Sequence, residues 1–186
     1  MKQKAKHKII HNTITLLEEY PFESITIKMI CAYSQVNRST FYDYFLDKYD
    51  LLHSIQNYHL QKYKRLLNAL YYSVPEGKSN QDCIFQFFKI VLRYIKRNLR
   101  FFHAILIKFP NRSLFQEYIA ATRETYELIL DNYSNHIINK KHFVTYSLGG
   151  QMGVIYFWIR EGCQESYEQL AQILLANTVK LQRWDR

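Results

Sequence analysis

The sequence predicts an all-helical protein of about nine helices, with an N-terminal three-helix module followed by a larger helical bundle. Three observations predict this fold class. The 186 residues contain only 5 Gly and 3 Pro, too few for the many turns of a sandwich or barrel. Hydrophobic residues make up 48% of the chain, enough for a real core. They also recur at helical spacing along most of its length.

The first two helices are bounded by start and stop signals. Apolar residues from Ile9 to Tyr20 follow one helical stripe, which Pro21 ends. A short second helix begins after Thr26, whose hydroxyl can cap it. Its core-facing positions are Ile27, Ile30 and Cys31.

A third helix is predicted over residues 38–45, after a turn at 34–37 and with Asn37 as its cap. Phe41 and Phe45, at i and i+4, share its buried side. The opposite side then carries Ser39 and Asp43. Two short helices around a four-residue turn have the layout of a helix-turn-helix, whose second helix enters the major groove of DNA.

The charge and the polar side chains of this segment suit a polyanionic partner. The chain has 25 Lys and Arg against 16 Asp and Glu, a formal net charge of +9. Hydroxyl and phenol groups on the outer side of the third helix can donate to phosphate oxygens. Arg38, Ser39 and Thr40, at its start, are closest to the base edges.

A long fourth helix is predicted across residues 51–70, and it connects two domains. We place a DNA-binding domain at 1–47 and a ligand-binding and dimerisation domain at 48–186. A loop at 73–80 follows the long helix. The remaining helices are expected near 81–99, 100–109, 112–133, 142–162 and 166–183.

Three strings in residues 7–55 stand out: Ile25-Thr-Ile-Lys-Met-Ile30, Val36-Asn-Arg-Ser-Thr-Phe-Tyr42 and Phe45-Leu-Asp-Lys-Tyr-Asp-Leu-Leu52. Together they resemble the TetR/AcrR-type one-component transcriptional regulators. The resemblance implies that Thr26 and Lys28 touch phosphates and that Lys48 clamps a phosphate from the start of the fourth helix. The complete set of DNA-binding residues is then Thr26, Lys28, Asn37, Arg38, Ser39, Thr40, Tyr42, Tyr44 and Lys48.

Three residues depart from the pattern of that family. Gln35 stands where the family often has glycine, so it has to bear a left-handed backbone or bend the turn differently. Tyr44 stands where histidine is common. Asp43 places a carboxylate on the DNA-facing side, where it must pair with a cation such as Lys48 or accept from a cytosine amine.

A second, looser resemblance to one C-terminal domain variety of the same family lies in residues 149–170. Gly149, Gly150 and Gly153 interrupt a helical pattern, where each costs about 1 kcal/mol relative to Ala, so close approach of another helix is expected. The last two helices then pair with their copies in a two-fold homodimer, as in the family. The predicted dimerisation residues are Gly149, Gly150, Gly153, Val154, Phe157, Trp158, Leu170, Ile173 and Leu174.

Aromatic residues in the middle helices can line a ligand pocket, as the family has, although ordinary core packing also explains them. The candidates are Phe88, Phe102, Phe109 and Tyr118. The function predicted is a sequence-specific DNA-binding regulator, a repressor that a small-molecule inducer releases from a palindromic operator. A transcriptional activator or adaptor controlled by a protein partner is the alternative, which the basic stretch at 89–112 keeps open.

Enzyme, metal and membrane classes are not indicated. The sequence has no GxSxG, HExxH, Walker or CxxC motif, so we expect no catalysis and no cofactor. His7 and His11 have a metal-binding spacing but no carboxylate or cysteine beside them, so no metal site is expected. No stretch approaches a membrane span, and the three isolated cysteines fit a reduced, cytoplasmic protein.

Overall fold

The computed structural model describes residues 2–73, 80–133 and 139–182, and within these ranges the chain contains helices and no strand. The prediction of an all-helical fold is therefore confirmed. A 3-10 turn at Phe22–Ser24 precedes the second helix, and a π-helical turn at Ala104–Lys108 follows the sixth. The nine α-helices in these ranges are α1 Lys2–Glu19, α2 Ile27–Ser34, α3 Arg38–Tyr42, α4 Lys48–Ser73, α5 Asn80–Arg97, α6 Leu99–His103, α7 Arg112–Tyr133, α8 Lys140–Arg160 and α9 Tyr167–Gln182.

Two details of the third helix differ from the prediction. Helix α3 ends at Tyr42 instead of continuing to Phe45, because the carbonyl of Phe41 accepts from the backbone N–H groups of both Tyr44 and Phe45, at 3.0 and 3.1 Å. This sharing tightens the last turn.

At the start of α3, Asn37 has the extended backbone of a cap residue, but its side chain makes no capping hydrogen bond. Most of the loop expected at 73–80, and much of the break expected at 134–141, lies outside the described residues.

The chain divides into two compact units. Unit 1 consists of Met1–Leu60 and Leu99–Asn111, and unit 2 consists of Gln61–Asn98 and Arg112–Arg186. The first half of α4 and all of α6 therefore belong with the helix-turn-helix. Leu51 and Ile55 of α4 are buried, which is why this half of the helix is part of a compact unit. The boundary at residue 47 between a DNA-binding domain and a ligand-binding and dimerisation domain stays a prediction.

The core of unit 1 holds the short helices in place. Ile25, Ile30 and Phe41 are fully buried. Elsewhere in the same unit, the imidazole of His59 stacks on the ring of Phe101, with centroids 3.9 Å apart. Burial lowers the pKa of His59 to about 4, so the ring is neutral at physiological pH.

The C-terminal helices of unit 2 are joined by a short, well-bonded turn. Helix α8 ends at Arg160, and Gly162, two residues later, has a φ of 77° at the break expected around it. Lys96 Nζ donates to the carbonyl oxygens of Cys163 and Glu165, at 3.0 and 3.3 Å. One lysine of the basic stretch thus holds this turn onto α5.

The left-handed residue between α2 and α3 gives a test of the turn. Gln35 has φ 54° and ψ 46°, as its place in the turn requires. Glycine adopts this conformation without a Cβ clash, so Gln35→Gly should raise the free energy of unfolding by about 0.5–1 kcal/mol, measured by urea denaturation. Gln35→Ala keeps the Cβ and should give no gain. Equal midpoints for the glycine and alanine variants would contradict this account.

Candidate nucleic-acid interface

Helix α2 is fixed at its start by the cap that the sequence predicts. The hydroxyl oxygen of Thr26 accepts a hydrogen bond from the backbone N–H of Met29 at 3.2 Å. Thr26 itself is exposed, so its hydroxyl hydrogen can donate to a phosphate oxygen while the oxygen serves as cap. Lys28, two residues further on, is also exposed. The two predicted phosphate contacts therefore stand together at one helix end.

Helix α3 presents one polar face and buries the other. Phe41 and Phe45 are almost completely buried, as predicted, and their ring centroids lie 5.8 Å apart. Arg38 and Ser39 are exposed at the helix start, and Thr40 is partly exposed. These three side chains are thus available to base edges in a groove.

The tyrosines and Asn37 extend this face. Tyr42 is 54% exposed, and its ring packs edge-on against Phe41 at 5.5 Å, which orients the phenol without burying it. Tyr44 is partly buried. Asn37 is exposed, and its side chain makes no capping hydrogen bond to α3. Its amide can therefore form hydrogen bonds with a phosphate or a base.

In the structure, Lys48 binds backbone carbonyls, a contact that the sequence did not indicate. Its ammonium nitrogen donates to the backbone carbonyls of Phe22, Glu23 and Ile25, at 3.1, 2.9 and 2.8 Å. The pairing of Asp43 with Lys48 is therefore not formed, because the ammonium hydrogens are taken by these carbonyls. Asp43 is exposed on the outer face.

The predicted dimerisation residues separate into an exposed group and a buried group. A methyl group added to Gly149, Gly150 or Gly153 would meet no atom within 4 Å in the part of the protomer that the structure describes. These glycines share one face of α8 with Tyr146 and Phe157, at about 3.6 residues per turn. Tyr146 is 69% exposed and Phe157 53%. This face has room for a second helix.

The other predicted dimerisation residues divide in the same way. Trp158, Leu170 and Leu174 lie in the core of unit 2, and the indole N–H of Trp158 donates to the carbonyl of Glu165 at 3.2 Å. They support α8 and α9 from inside and leave almost no side-chain surface exposed in the protomer, so their place in a dimer interface stays a prediction. Ile173 is 44% exposed. Val154 is partly buried.

The four aromatic residues predicted for a ligand pocket are distributed over both units. Phe102 and Phe109 belong to unit 1, whereas Phe88 and Tyr118 belong to unit 2. Phe88, Phe102 and Tyr118 are buried, and Phe109 is partly exposed. None of them lines the surface groove of about 420 Å³ on α7, which is bordered by Gln116, Ile119, Ala120, Arg123, Glu124, Glu127, Leu128 and Asp131.

Unit 2 contains a row of buried hydrogen bonds that sequence reasoning missed. The phenol of Tyr63 and the hydroxyl of Thr122 lie 2.6 Å apart. The phenol of Tyr126 donates to Gln151 at 2.9 Å, and the amide of Gln151 donates to Thr178 at 3.3 Å. Polar residues at core positions of the helical stripes were the available signal.

Burial disfavours the charged form of three phenols in unit 2, those of Tyr63, Tyr118 and Tyr126. It raises the pKa of Tyr63 to about 12 and raises the pKa of Tyr118 and Tyr126 as well. Ser147, on α8, is also buried, and its hydroxyl has no hydrogen-bond partner among the described residues. The interior of unit 2 therefore offers neutral donors and acceptors.

Neither a metal-ligand cluster nor a membrane-spanning helix is found in the described ranges. No group of three or more His, Cys, Asp or Glu side chains there is placed to hold a metal ion. None of the helices described combines the length and the apolar character that crossing a bilayer requires.

Two family profiles match the sequence. Residues 9–55 match the profile of the bacterial regulatory proteins of the tetR family. Residues 82–179, which are more than half of the chain, match a profile described as a transcriptional regulator C-terminal region. No curated protein matches the chain by sequence.

Solved structures share the fold across almost the whole chain. SmeT, the repressor of the Stenotrophomonas maltophilia multidrug efflux pump SmeDEF, is 13% identical with a TM-score of 0.74, and the match covers 94% of this chain and 88% of SmeT. FadR from Bacillus subtilis, solved with stearoyl-CoA, is 13% identical with a TM-score of 0.67 and coverages of 93% and 97%. The dihydroxyacetone kinase operon activator DhaS is 18% identical with a TM-score of 0.60 and coverages of 95% and 94%. At these identities the likeness shows the fold alone.

The exposed carboxylate of Asp43 gives a test of the outer face. A negative charge that faces phosphates opposes DNA binding, unless the DNA sequence places a cytosine amine where it can donate to the carboxylate. Asp43→Ala should therefore bind unrelated DNA as tightly as the unchanged protein or more tightly, measured by fluorescence anisotropy. Asp43→Asn, which keeps the shape and removes the charge, is the control and should act in the same direction. A large loss of affinity on all sequences would contradict this placement.

Proposed function

The chain belongs to the TetR family of bacterial regulatory proteins, and on that premise we propose that it is a repressor which a small-molecule ligand releases from a palindromic operator. The observation that carries the proposal is the polar end of α3, exposed to solvent and supported from behind by Phe41 and Phe45. Such a regulator acts in the cytoplasm, where the DNA is.

The polar side chains at the start of α2 and around α3 have the following roles in the proposed complex. Arg38 reads a base, since a guanidinium can donate two hydrogen bonds to guanine, and Ser39 and Thr40 lie beside it. Thr26 and Lys28 hold the phosphates in front of α2. Asn37, Tyr42 and Tyr44 contact the backbone or the bases around them. These contacts place α3 in one major groove.

A homodimer supplies the second recognition helix. Two half-sites about one helical turn apart need two copies of α3 related by a two-fold axis. We assign the interface to the exposed glycine face of α8, with Tyr146 and Phe157, and to Ile173 of α9. Isologous packing would bring the glycines of the two copies together and offset their cost in the helix.

Release requires a ligand that favours the geometry unable to bind DNA, since equal affinity for both states shifts nothing. We place this ligand in unit 2, whose interior is mainly apolar and includes a few neutral hydroxyl and amide groups. A ligand that spreads the two copies of α4 changes the spacing of the recognition helices, and affinity for the operator falls. The fatty-acyl ligand of the Bacillus subtilis FadR structure gives a first class of compound to try.

The alternative function is an activator or adaptor that answers to a protein partner. DhaS is an activator, so the fold does not dictate the sign of regulation. Arg93 and Arg97 are exposed on α5, in the basic stretch, and suit an acidic protein surface. Stoichiometric co-purification of a partner would favour this function, whereas release of DNA by a small molecule would favour the repressor.

Selection of bound genomic fragments, followed by salt titration, tests the DNA-binding function. With the two cations Lys28 and Arg38 of each subunit at the DNA, the logarithm of the association constant should fall with the logarithm of salt concentration at a slope of roughly −4. Arg38→Ala should cost about 1–3 kcal/mol and relax preference at one position per half-site. Its control, Lys28→Ala, should weaken all sequences about equally. A slope near zero would reject the function.

A leucine on the glycine face of α8 should have opposite effects on the helix and on the dimer. A Cβ at position 150 meets no atom within 4 Å among the described residues, and leucine favours the helix by roughly 1 kcal/mol over glycine, so Gly150→Leu should not harm the helix itself. It should nevertheless halve the mass measured by light scattering, because its side chain would separate the two helices. Gln116→Leu, at an exposed position on α7, should leave the mass unchanged. A Gly150→Leu protein of unchanged dimer mass would remove this face from the interface.

A further inference from the structure

Helix α4 begins with a lysine whose donors are all engaged inside unit 1. The ammonium group of Lys48 donates to the carbonyls of Phe22, Glu23 and Ile25, at distances between 2.8 and 3.1 Å. An ammonium carries three hydrogens, and three carbonyl oxygens receive them. A phosphate could be bound only after one of these hydrogen bonds is broken.

Two aromatic rings complete the surroundings of this ammonium. Its nitrogen lies 4.8 Å from the ring centroid of Phe22 and 5.4 Å from that of Tyr49. The two rings meet edge to face, with centroids 5.3 Å apart. Cation–π attraction therefore adds to the hydrogen bonds and holds the charge in one place.

The carbonyls that Lys48 binds lead directly into α2. Phe22 and Glu23 belong to the 3-10 turn, and Ile25 immediately precedes Thr26, the cap of α2. The Ile25 side chain is fully buried, so this stretch of backbone is held on both sides. Lys48 thus fixes the position of the backbone just before the first residue of α2.

The start of α4, from which Lys48 extends, is also held by hydrogen bonds. The carboxylate of Asp47 accepts hydrogen bonds from the N–H groups of Tyr49 and Asp50, both at 2.8 Å, and caps α4. The carboxylate of Asp50 accepts from the N–H of Leu46 at 3.0 Å. Lys48 therefore extends from a rigid helix start, and a displacement of that start would be passed on to the turn.

We propose that Lys48 is a positioning residue, which ties the first turn of α4 to the start of α2 and supports DNA affinity through that geometry instead of through a phosphate contact. This role rests on the proposed function, because it concerns how Thr26 and Lys28 are placed before the phosphates. It differs from the phosphate clamp that the resemblance to the family implies. It also gives a path by which a shift of α4 moves α2.

Three variants of the full-length protein separate the two roles. Lys48→Met removes the charge and keeps the aliphatic stem. Lys48→Arg keeps the charge, but a planar guanidinium cannot direct its hydrogens to three converging carbonyls as an ammonium does. Lys28→Met is the matched control at an exposed lysine of the same unit. The measurements are the melting temperature without DNA and the affinity for a selected genomic fragment over a series of salt concentrations.

We expect Lys48→Met to lower the melting temperature by about 3–8 °C and to weaken binding about tenfold, with the salt slope unchanged. Lys48→Arg should lose stability and affinity in the same direction. Lys28→Met should keep the melting temperature and reduce the magnitude of the slope by about 1 per subunit.

Two results would overturn the role of Lys48. One is a Lys48→Met protein that melts like the unchanged protein and loses slope as Lys28→Met does, with Lys48→Arg binding normally. The other is a lower melting temperature with full affinity of the folded protein. If Lys48→Met does not fold, Lys48→Arg still decides between them. If the unchanged protein binds no fragment, the proposed function fails and positioning for DNA fails with it, while the melting temperatures still report whether the tether exists.

Discussion

The structure of the DNA-binding unit depends on the burial of Phe41 and Phe45 beneath a helix that cannot stand alone. Helix α3 has five residues, whereas isolated helices shorter than about 12–15 residues are marginal in water. Its conformation is therefore maintained by packing against α1 and α2 and not by propensity. The same burial turns Arg38, Ser39 and Tyr42 outward, so the constraint that folds the helix also creates its polar face.

The short helices are further located by hydrogen bonds to the backbone. Thr26 caps α2, the left-handed Gln35 turns the chain into α3, and Asp47 caps α4. Lys48 then joins the start of α4 to the turn before α2. Each of these contacts fixes the direction of a helix end, which apolar packing alone leaves loosely specified. A regulator of this kind needs such definition, because the distance between two recognition helices decides whether an operator fits.

Unit 2 combines buried hydrogen bonds in its interior with an exposed face of glycines and aromatic rings. The tyrosine, threonine and glutamine hydrogen bonds lie inside, whereas three glycines and exposed aromatic rings lie on the outer side of α8. Glycine within a helix reduces the stability of a lone protomer, whereas the buried hydroxyl and amide groups are mostly hydrogen-bonded to one another and so avoid most of the cost of burial. The proposed second copy on the outer face would offset the cost of the glycines.

Signals that act within one helical turn could be recognised in the chain before its structure was known. They include the helical class, the Thr26 cap, the burial of Phe41 and Phe45, and the motif strings that resemble the family, whereas the sequence left open whether Gln35 is left-handed or the turn bends differently. The destination of Lys48 could not be found in this way, because its acceptors lie 23–26 residues away and its long side chain can point in many directions. The division of the α8 and α9 residues into buried and exposed groups, and the pairing of Tyr126 with Gln151, likewise depend on which helices meet. Periodicity assigns a residue to a stripe, but only the packed neighbours determine what that stripe faces.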